Sequence, residues 1–216
     1  MSESPLSKSA PRLPLFAVVE EFERRVAEFA GAKYGVATNT CTSAIFLSCC
    51  YRFQGYTKTP TILPARTFIS VPMAVIQAGG KVIFENIRWN GTYRISPWWI
   101  VDGALRFRRG MYEGGLHCLS FHARKLLNIG EGGMVLTDDK NAADWLRKAR
   151  YSGRAAPLFR IEDVDMLGYQ MYMTPEKAAR GLHLMEYMGD DLPDQKVEYV
   201  DLRTAKIFQG VSYEAR

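Results

Sequence analysis

The stretch SFHARKLLNIGEGGMVLTDD, residues 120–139, sets one lysine between a Ser-Phe-His triplet and a glycine-dense turn. Most lysines are solvated surface charges. A lysine that follows a strand inside such a turn is also placed to be a reactive amine in a pocket. Gly130, Gly132 and Gly133 follow Lys125 and let the backbone approach a ligand closely. Two further stretches carry groups that complement an amine. In ATNTCTSA, residues 37–44, a predicted strand hands over to a predicted helix. The amides of that helix N-terminus, with the hydroxyls of Thr40 and Thr42, form the kind of cup that holds an anion, often a phosphate. In IVDGA an apolar strand ends at Asp102, the end at which α/β sheets place their ligands. An aspartate that caps the next turn is the competing reading there.

Taken together the three groups meet one chemical need. A lysine amine forms an imine with an aldehyde cofactor. A carboxylate beside the ring nitrogen of that cofactor keeps the nitrogen protonated, so the ring accepts electrons. A helix terminus holds the cofactor's phosphate. Pyridoxal 5'-phosphate requires all three.

The elements that must position these groups are legible from periodicity. Phe16, Val19, Phe22, Val26 and Phe29 recur at steps of three and four, which predicts an amphipathic helix that Gly31 ends. YGVAT reads as a strand. TSAIFLSCCYRF reads as a helix capped by Thr42 or a neighbour. TILPA is a strand, FISVPMAVIQAGG a helix with Pro72 in its first turn, KVIFEN a strand, and WWIVD a strand buried on both faces. LHCLSF and GGMVLTD are two strands separated by the loop that carries Lys125. KNAADWLRKARYSG is a helix stopped by Gly153, and TPEKAARGLHLMEYM a helix with Thr174 as cap and Pro175 at its first position. Alternation of strands and helices predicts an α/β fold with a largely parallel sheet. A polar, Pro/Ser-rich arm is expected over 1–15, one α/β domain over 16–190, and a C-terminal extension or small cap over 191–216, where apolar periodicity weakens.

Bulk composition is that of a globular chain: 216 residues, 47% hydrophobic and 24% charged. No apolar run reaches the roughly 18–20 residues of a membrane span, and MSESPLSKSAPRLP lacks the apolar centre of a signal peptide. Cys41, Cys49, Cys50 and Cys118 form neither a disulfide framework nor a zinc spacing, and His117 beside Cys118 is isolated. A reducing cytoplasm fits that usage. Net charge is +5. The densest basic cluster, RFRRG (residues 106–110), admits three readings: a nucleic-acid grip without a recognition motif, a grip on a small ligand's phosphates, or a solvated surface.

The chain resembles the DegT/DnrJ/EryC1/StrS family of sugar aminotransferases. The resemblance covers roughly residues 16–188. It is carried by FERRVAEFAGAKYGVATNTCTSAIFL, PARTFISVPMAVIQAGGKVIFENI, IVDGA and GYQMYMTPEKAA, and most specifically by the Lys125 block with its Gly-Glu-Gly-Gly. It implies a three-layer type I pyridoxal-phosphate transferase fold with a shortened, mostly parallel sheet and a much reduced C-terminal small domain. It also implies a homodimer. By the same resemblance Lys125 is the lysine that forms the Schiff base, and Asp102 the partner of the pyridine nitrogen. Phe68 stacks on the ring. Cys41, Thr42 and Ser120 bind the phosphate, and Gln170 reaches the phosphate of the neighbouring subunit. Departures are equally specific. Cys41 stands where the family has glycine, Leu105 where it has a polar residue, Gln170 in place of asparagine and Tyr172 in place of arginine. A helix and strand expected between GTYRISP and WWIVDGA are absent.

The expected activity is transfer of an amino group, from glutamate, to a ketone on a nucleotide-linked sugar, in the cytoplasm and without nucleic acid or membrane as partner. Histidine at the lysine position marks a dehydrating branch of the family, and Lys125 argues against it. The alternative is a degenerate homologue that holds the cofactor, or serves as a scaffold, without turnover.

Overall fold

The computed structural model describes residues 16–54, 59–154 and 164–209. The arm expected over 1–15 lies outside them. The elements in chain order are α1 (Ala17–Ala30), β1 (Tyr34–Thr38), α2 (Cys41–Arg52), β2 (Pro60–Pro64), α3 (Ser70–Gln77), β3 (Lys81–Glu85), β4 (Tyr93–Ile95), β5 (Ile100–Asp102), β6 (Leu116–Ser120), β7 (Gly133–Thr137), α4 (Lys140–Ala149) and α5 (Pro175–Met185).

The central sheet runs β1-β7-β6-β5-β4. The β2–β3 pair extends it past β4, tied on by reciprocal backbone hydrogen bonds between Ile62 and Ser96 at 2.9 and 3.3 Å. The expected layered α/β fold is present, and its sheet is mixed. Parallel pairing occurs in β5–β6 and β2–β3, while β1–β7, β6–β7 and β4–β5 are antiparallel. Connection length explains β4–β5: a parallel crossover needs a dozen or more residues, and only residues 96–99 separate these strands. The same constraint corrects the strand read as WWIVD. Trp98 and Trp99 form the reversal, Trp99 at a φ of 55°, and the strand begins at Ile100. β4, inside TYRIS, was not anticipated.

Side chains leave the sheet on alternate sides, as a period of two requires. Val135 and Cys118 join a core under α2, α3 and α4. Met134, Leu136 and Leu119 join a second core under α1 and α5. Three layers result. The predicted stripe of α1 is buried, with Val19, Phe22 and Val26 at most 1% exposed, and Gly31 closes the helix at a φ of 87°. Glu23 on the same helix is buried. It accepts the Ala37 N–H at 2.8 Å and pairs with Arg150, which also donates to the Ala37 carbonyl. This pair joins α1, β1 and the end of α4.

Residues 190–209 form an extended strap with two short 3-10 turns, at Leu202–Thr204 and Lys206–Phe208. The cluster RFRRG acts on this strap. Arg106 holds Asp194 and Arg109 holds Asp190, while Phe107 is buried in the second core. For Arg106 and Arg109, then, the readings as a nucleic-acid or phosphate grip are replaced: their cations are matched by carboxylates of the same chain.

Candidate active site

The N-terminus of α2 is built by Thr40, the neighbour rather than Thr42 itself. Thr40 is extended and its hydroxyl accepts the Ser43 N–H at 3.0 Å. The N–H groups of Cys41 and Thr42 lie ahead of the helical ladder and have no intrahelical acceptor. Gly133, the first residue of β7, runs against this turn. A Cβ there would lie 2.4 Å from the Thr40 carbonyl carbon and 2.5 Å from the Cys41 nitrogen, so only glycine lets the strand reach the helix mouth. The Thr42 hydroxyl meets that of Ser70, at the start of α3, at 2.7 Å. One hydroxyl donates to the other, which leaves one proton free to donate to an anion.

β5 ends at Asp102, whose carboxylate is only 5% exposed. It accepts the Ala104 N–H at 3.0 Å. Burial pushes its carboxyl up, against the Ala104 N–H, the Tyr93 hydroxyl and the charge of Lys125. A cation beside this carboxylate would reverse that balance.

β6 delivers Ser120, and the chain then turns. Phe121 N–H bonds to the Gly132 carbonyl and Ala123 N–H to that of Gly130, both at 2.9 Å, while Lys125 N–H bonds to the His122 carbonyl at 2.8 Å. These bonds hold Lys125 at the rim of a fixed hairpin. Its amine is half-buried. Desolvation lowers its pKa, partly offset by Cys41 and Asp102, which enlarges its neutral, nucleophilic fraction. Burial pushes the Cys41 thiol well up, so it stands as a neutral thiol in the cup.

All these groups face one cavity of about 380 Å3, within the range of roughly 300–1,000 Å3 usual for small-molecule sites. Of the predicted site residues, Cys41, Thr42, Phe68, Asp102, Ser120 and Lys125 line it. Leu105 does so too. Gln170 does not: it is exposed, beside Tyr151. The residues fit pyridoxal phosphate in kind. There is a buried carboxylate in need of a cation, a helix mouth with free N–H groups, and a desolvated amine.

Sequence reasoning missed a whole wall. Gln195, Val197 and Tyr199 of the strap line the cavity, with Trp89 beside them. Tyr199 stacks on Trp89 at 5.9 Å and meets Phe68 edge-on at 6.4 Å. Gln195 donates from its backbone to the Leu105 carbonyl and from its side chain to that of Arg124, each at 2.9 Å. A signal was present: residues 195, 197 and 199 alternate with Lys196 and Glu198, the period of an extended chain with one face inward. Ser70, His122 and Arg124 carried no such pattern. His117 is buried in the core, away from the cavity lining. Among the described residues no group of three metal-ligating side chains occurs, and no helix is long and apolar enough to cross a membrane.

Comparison with known proteins agrees with this geometry. The model of the DegT/DnrJ/EryC1/StrS aminotransferase family matches residues 14–101 and 108–205. The spore coat polysaccharide biosynthesis protein SpsC of Bacillus subtilis (strain 168) is 28% identical, over 80% of this chain and 57% of SpsC. GDP-perosamine synthase of Escherichia coli O157:H7 is 36% identical over 89 residues, 41% of this chain and 24% of that protein. Among solved structures, Helicobacter pylori PseC, an aminotransferase involved in the biosynthesis of pseudoaminic acid, superposes with a TM-score of 0.68 at 18% identity, covering 82% of this chain and 59% of PseC. The sugar aminotransferase CalS13 from Micromonospora echinospora gives 0.67 at 20% identity, covering 82% and 62%. At such identities these structures establish the fold. The chain spans less than two thirds of the length of these relatives.

Proposed function

The chain belongs to the DegT/DnrJ/EryC1/StrS aminotransferase family, and from that premise we propose that it transfers an amino group, from glutamate, to a keto group of a nucleotide-linked sugar, with pyridoxal 5'-phosphate as cofactor. The observation that carries this reading is the convergence of Lys125, Asp102 and the N-terminus of α2 on one cavity.

When bound, pyridoxal phosphate supplies an aldehyde for the lysine and a ring that takes up electrons as bonds at the substrate carbon change. The chain's own residues supply the rest. Cys41 and Thr42 offer backbone N–H groups, and Thr42, Ser70 and Ser120 offer hydroxyls, to the phosphate. Phe68, which lines the cavity, would pack against the ring. Asp102 would supply the negative charge that favours a protonated ring nitrogen. Lys125 Nζ would hold or move a proton at the carbon that gains or loses nitrogen. Tyr199 of the strap, packed against Trp89 and Phe68, walls one side of the cavity. Gln170, exposed and outside this chain's own cavity, would serve the phosphate of a neighbouring subunit in a homodimer.

Borohydride reduction tests the reading directly. Protein treated with pyridoxal phosphate and borohydride carries the cofactor on the peptide that contains Lys125. Attachment at a different lysine, or none, sinks it. Attachment at Lys125 without turnover of any sugar nucleotide identifies a cofactor-holding homologue instead.

A further inference from the structure

β4 flanks β5 directly, because the helix and strand expected between their segments are absent. Tyr93 and Asp102 are partners across this antiparallel pair. Residues directly opposite each other point to one face of a sheet, with Cβ atoms about 4.5–5.5 Å apart. Tyr93 and Ile95 are buried and Arg94 between them is exposed, so the alternation of β4 turns the tyrosine inward. Its ring packs on Trp89, with centroids 4.7 Å apart. Its hydroxyl faces the Asp102 carboxylate as a hydrogen-bond partner.

A second hydroxyl stands behind the first. Thr67 lies in the loop between β2 and α3, next to Phe68. It is buried, and its hydroxyl meets that of Tyr93 at 2.5 Å. The donor inventory fixes the direction of this chain. A charged carboxylate only accepts, so Tyr93 gives its proton to Asp102 and Thr67 donates to the Tyr93 oxygen. Burial, and then the Asp102 charge, push the Tyr93 phenol well above its usual range, so it keeps the proton it donates. The other side chains that face Asp102 are Cys41 of α2, Cys118 of β6, Tyr199 of the strap and Lys125. Burial pushes both thiols and the Tyr199 phenol up, so they stay neutral and Lys125 is the one cation of the set.

We infer that Tyr93 is a positioning residue of the site: the relay from Thr67 through Tyr93 to Asp102 holds the Asp102 carboxylate charged and oriented in the cavity. The inference rests on the proposed function for the ring nitrogen that this carboxylate serves. Tyr93 and Thr67 lie outside the cavity lining and act through Asp102. The need they meet is specific. Desolvation drives a carboxylate this deeply buried toward its neutral form, and a neutral acid cannot hold a proton on a ring nitrogen. Ala104 supplies one donor from the backbone, and Tyr93 supplies a second from the neighbouring strand. The same hydroxyl pair fastens the loop that presents Phe68 to the strand beside Asp102.

The test uses the full chain without cofactor, its aspartates labelled with carbon-13 at the carboxyl carbon. The Asp102 resonance is assigned by its loss in Asp102→Asn and followed by NMR across the acid and neutral range. The expected result is a titration midpoint about one pH unit or more higher in Tyr93→Phe, which keeps the ring and loses the donor. Thr67→Ser, which keeps the second hydroxyl, titrates as the wild type does. A folded Tyr93→Phe with the wild-type midpoint makes Tyr93 a packing residue and overturns the relay. Where Tyr93→Phe does not fold, Thr67→Val decides: the midpoint rises by a smaller step, and an unmoved midpoint overturns the relay. Pyridoxal phosphate affinity is then titrated against pH in the same proteins. Its fall with pH is expected to follow the Asp102 midpoint from protein to protein. An Asp102 midpoint that moves with Tyr93 while cofactor affinity ignores it leaves the relay standing and overturns the aminotransferase reading of Asp102. Cofactor affinity that follows an Asp102 midpoint indifferent to Tyr93 and Thr67 does the reverse.

Discussion

Arg106 grips Asp194 through two bonds of the guanidinium fork, 2.8 Å from Nε and 2.7 Å from the terminal nitrogen, with side chains 12% and 8% exposed. The arginine holds the Asp194 carboxyl below its usual range. A cluster whose sequence left a nucleic-acid grip, a phosphate grip and a solvated surface open therefore supplies, in Arg106, an anchor of the strap that walls the cavity. Asp194→Ala is expected to cost about 1–3 kcal/mol, between the values of exposed and fully buried pairs. It also frees Gln195, Val197 and Tyr199. Urea unfolding measures the first effect. A red shift in tryptophan emission, as Tyr199 leaves Trp89, measures the second. Unchanged emission would mean the strap is held without the pair.

Lys125→Ala removes the amine and leaves the cup, Asp102 and Phe68 in place. The variant is expected to bind pyridoxal phosphate without a borohydride-stable link and to lose transamination by several orders of magnitude, since both the covalent link and the proton transfer depend on one amine. Folding survives, because the side chain is only half-buried and lies at the rim of a hairpin held by backbone bonds. A lysine that served only as a surface charge would instead shift stability by less than about 0.5 kcal/mol and leave activity intact.

Asp102→Asn keeps the shape of the side chain and an oxygen for the Ala104 N–H. It removes the charge that would hold a proton on a ring nitrogen. Cofactor binding is expected to persist through the phosphate contacts, while turnover falls well below the wild-type rate. Because burial pushes the Asp102 carboxyl up, the unliganded wild type should also bind cofactor more weakly as pH falls and this group protonates. The Asn variant should lack that dependence. Matching pH profiles would show that Asp102 is a turn cap and no more.

The legible part of this molecule was its periodic part. α1, α2, α4 and α5, and the strands that deliver Asp102 and Ser120, follow from apolar spacing and caps. Lys125 stood out because glycines marked its turn. β4 stayed hidden because only three residues within TYRIS, Tyr93–Ile95, are strand, too few to display alternation. The strap stayed hidden for a different reason. Its inward face has three residues, 195, 197 and 199, one of them a glutamine, and its outward face is charged. Its place is set by Arg106, 88 residues away in sequence, and pairings of that range leave no local pattern. Gln170 could be assigned by resemblance and its exposure observed, but its proposed role involves a second subunit.

Gly133→Ala tests how closely β7 must approach the cup. The added methyl would meet backbone atoms of Thr40 and Cys41 at 2.4–2.5 Å, and backbone there is fixed by the Thr40 cap. Either β7 or the α2 N-terminus must move. The expected outcome is at least a tenfold loss of pyridoxal phosphate affinity, larger than for Gly189→Ala, where a Cβ makes only an ordinary contact with Leu192 at 3.7 Å. Equal losses in the two variants would mean the close approach does not shape the cup.

His117 gives the chain an acid-sensitive core. Its ring is fully buried on β6, and neither ring nitrogen has a hydrogen-bond partner among the described residues. Burial, reinforced by the charge of Arg106, pushes its pKa down to about 4. The ordinary value is near 6.5. Between those limits the unfolded chain binds a proton that the folded chain does not, so stability falls as pH drops through the window and is complete above it. The loss at its acid end is roughly 3 kcal/mol, from 1.36 kcal/mol per pKa unit. His117→Leu removes the titrating group, and it also removes an N–H that is buried without an acceptor. The variant should therefore be no less stable at pH 7. Urea midpoints measured at pH 4.5 and pH 7 should separate clearly in the wild type and draw together in the variant. Asp102, whose carboxyl is pushed up, works in the opposite direction in both proteins, so the difference between them isolates the histidine. Equal pH dependence in the two would show that His117 is reached by water or by a partner when the chain is in solution.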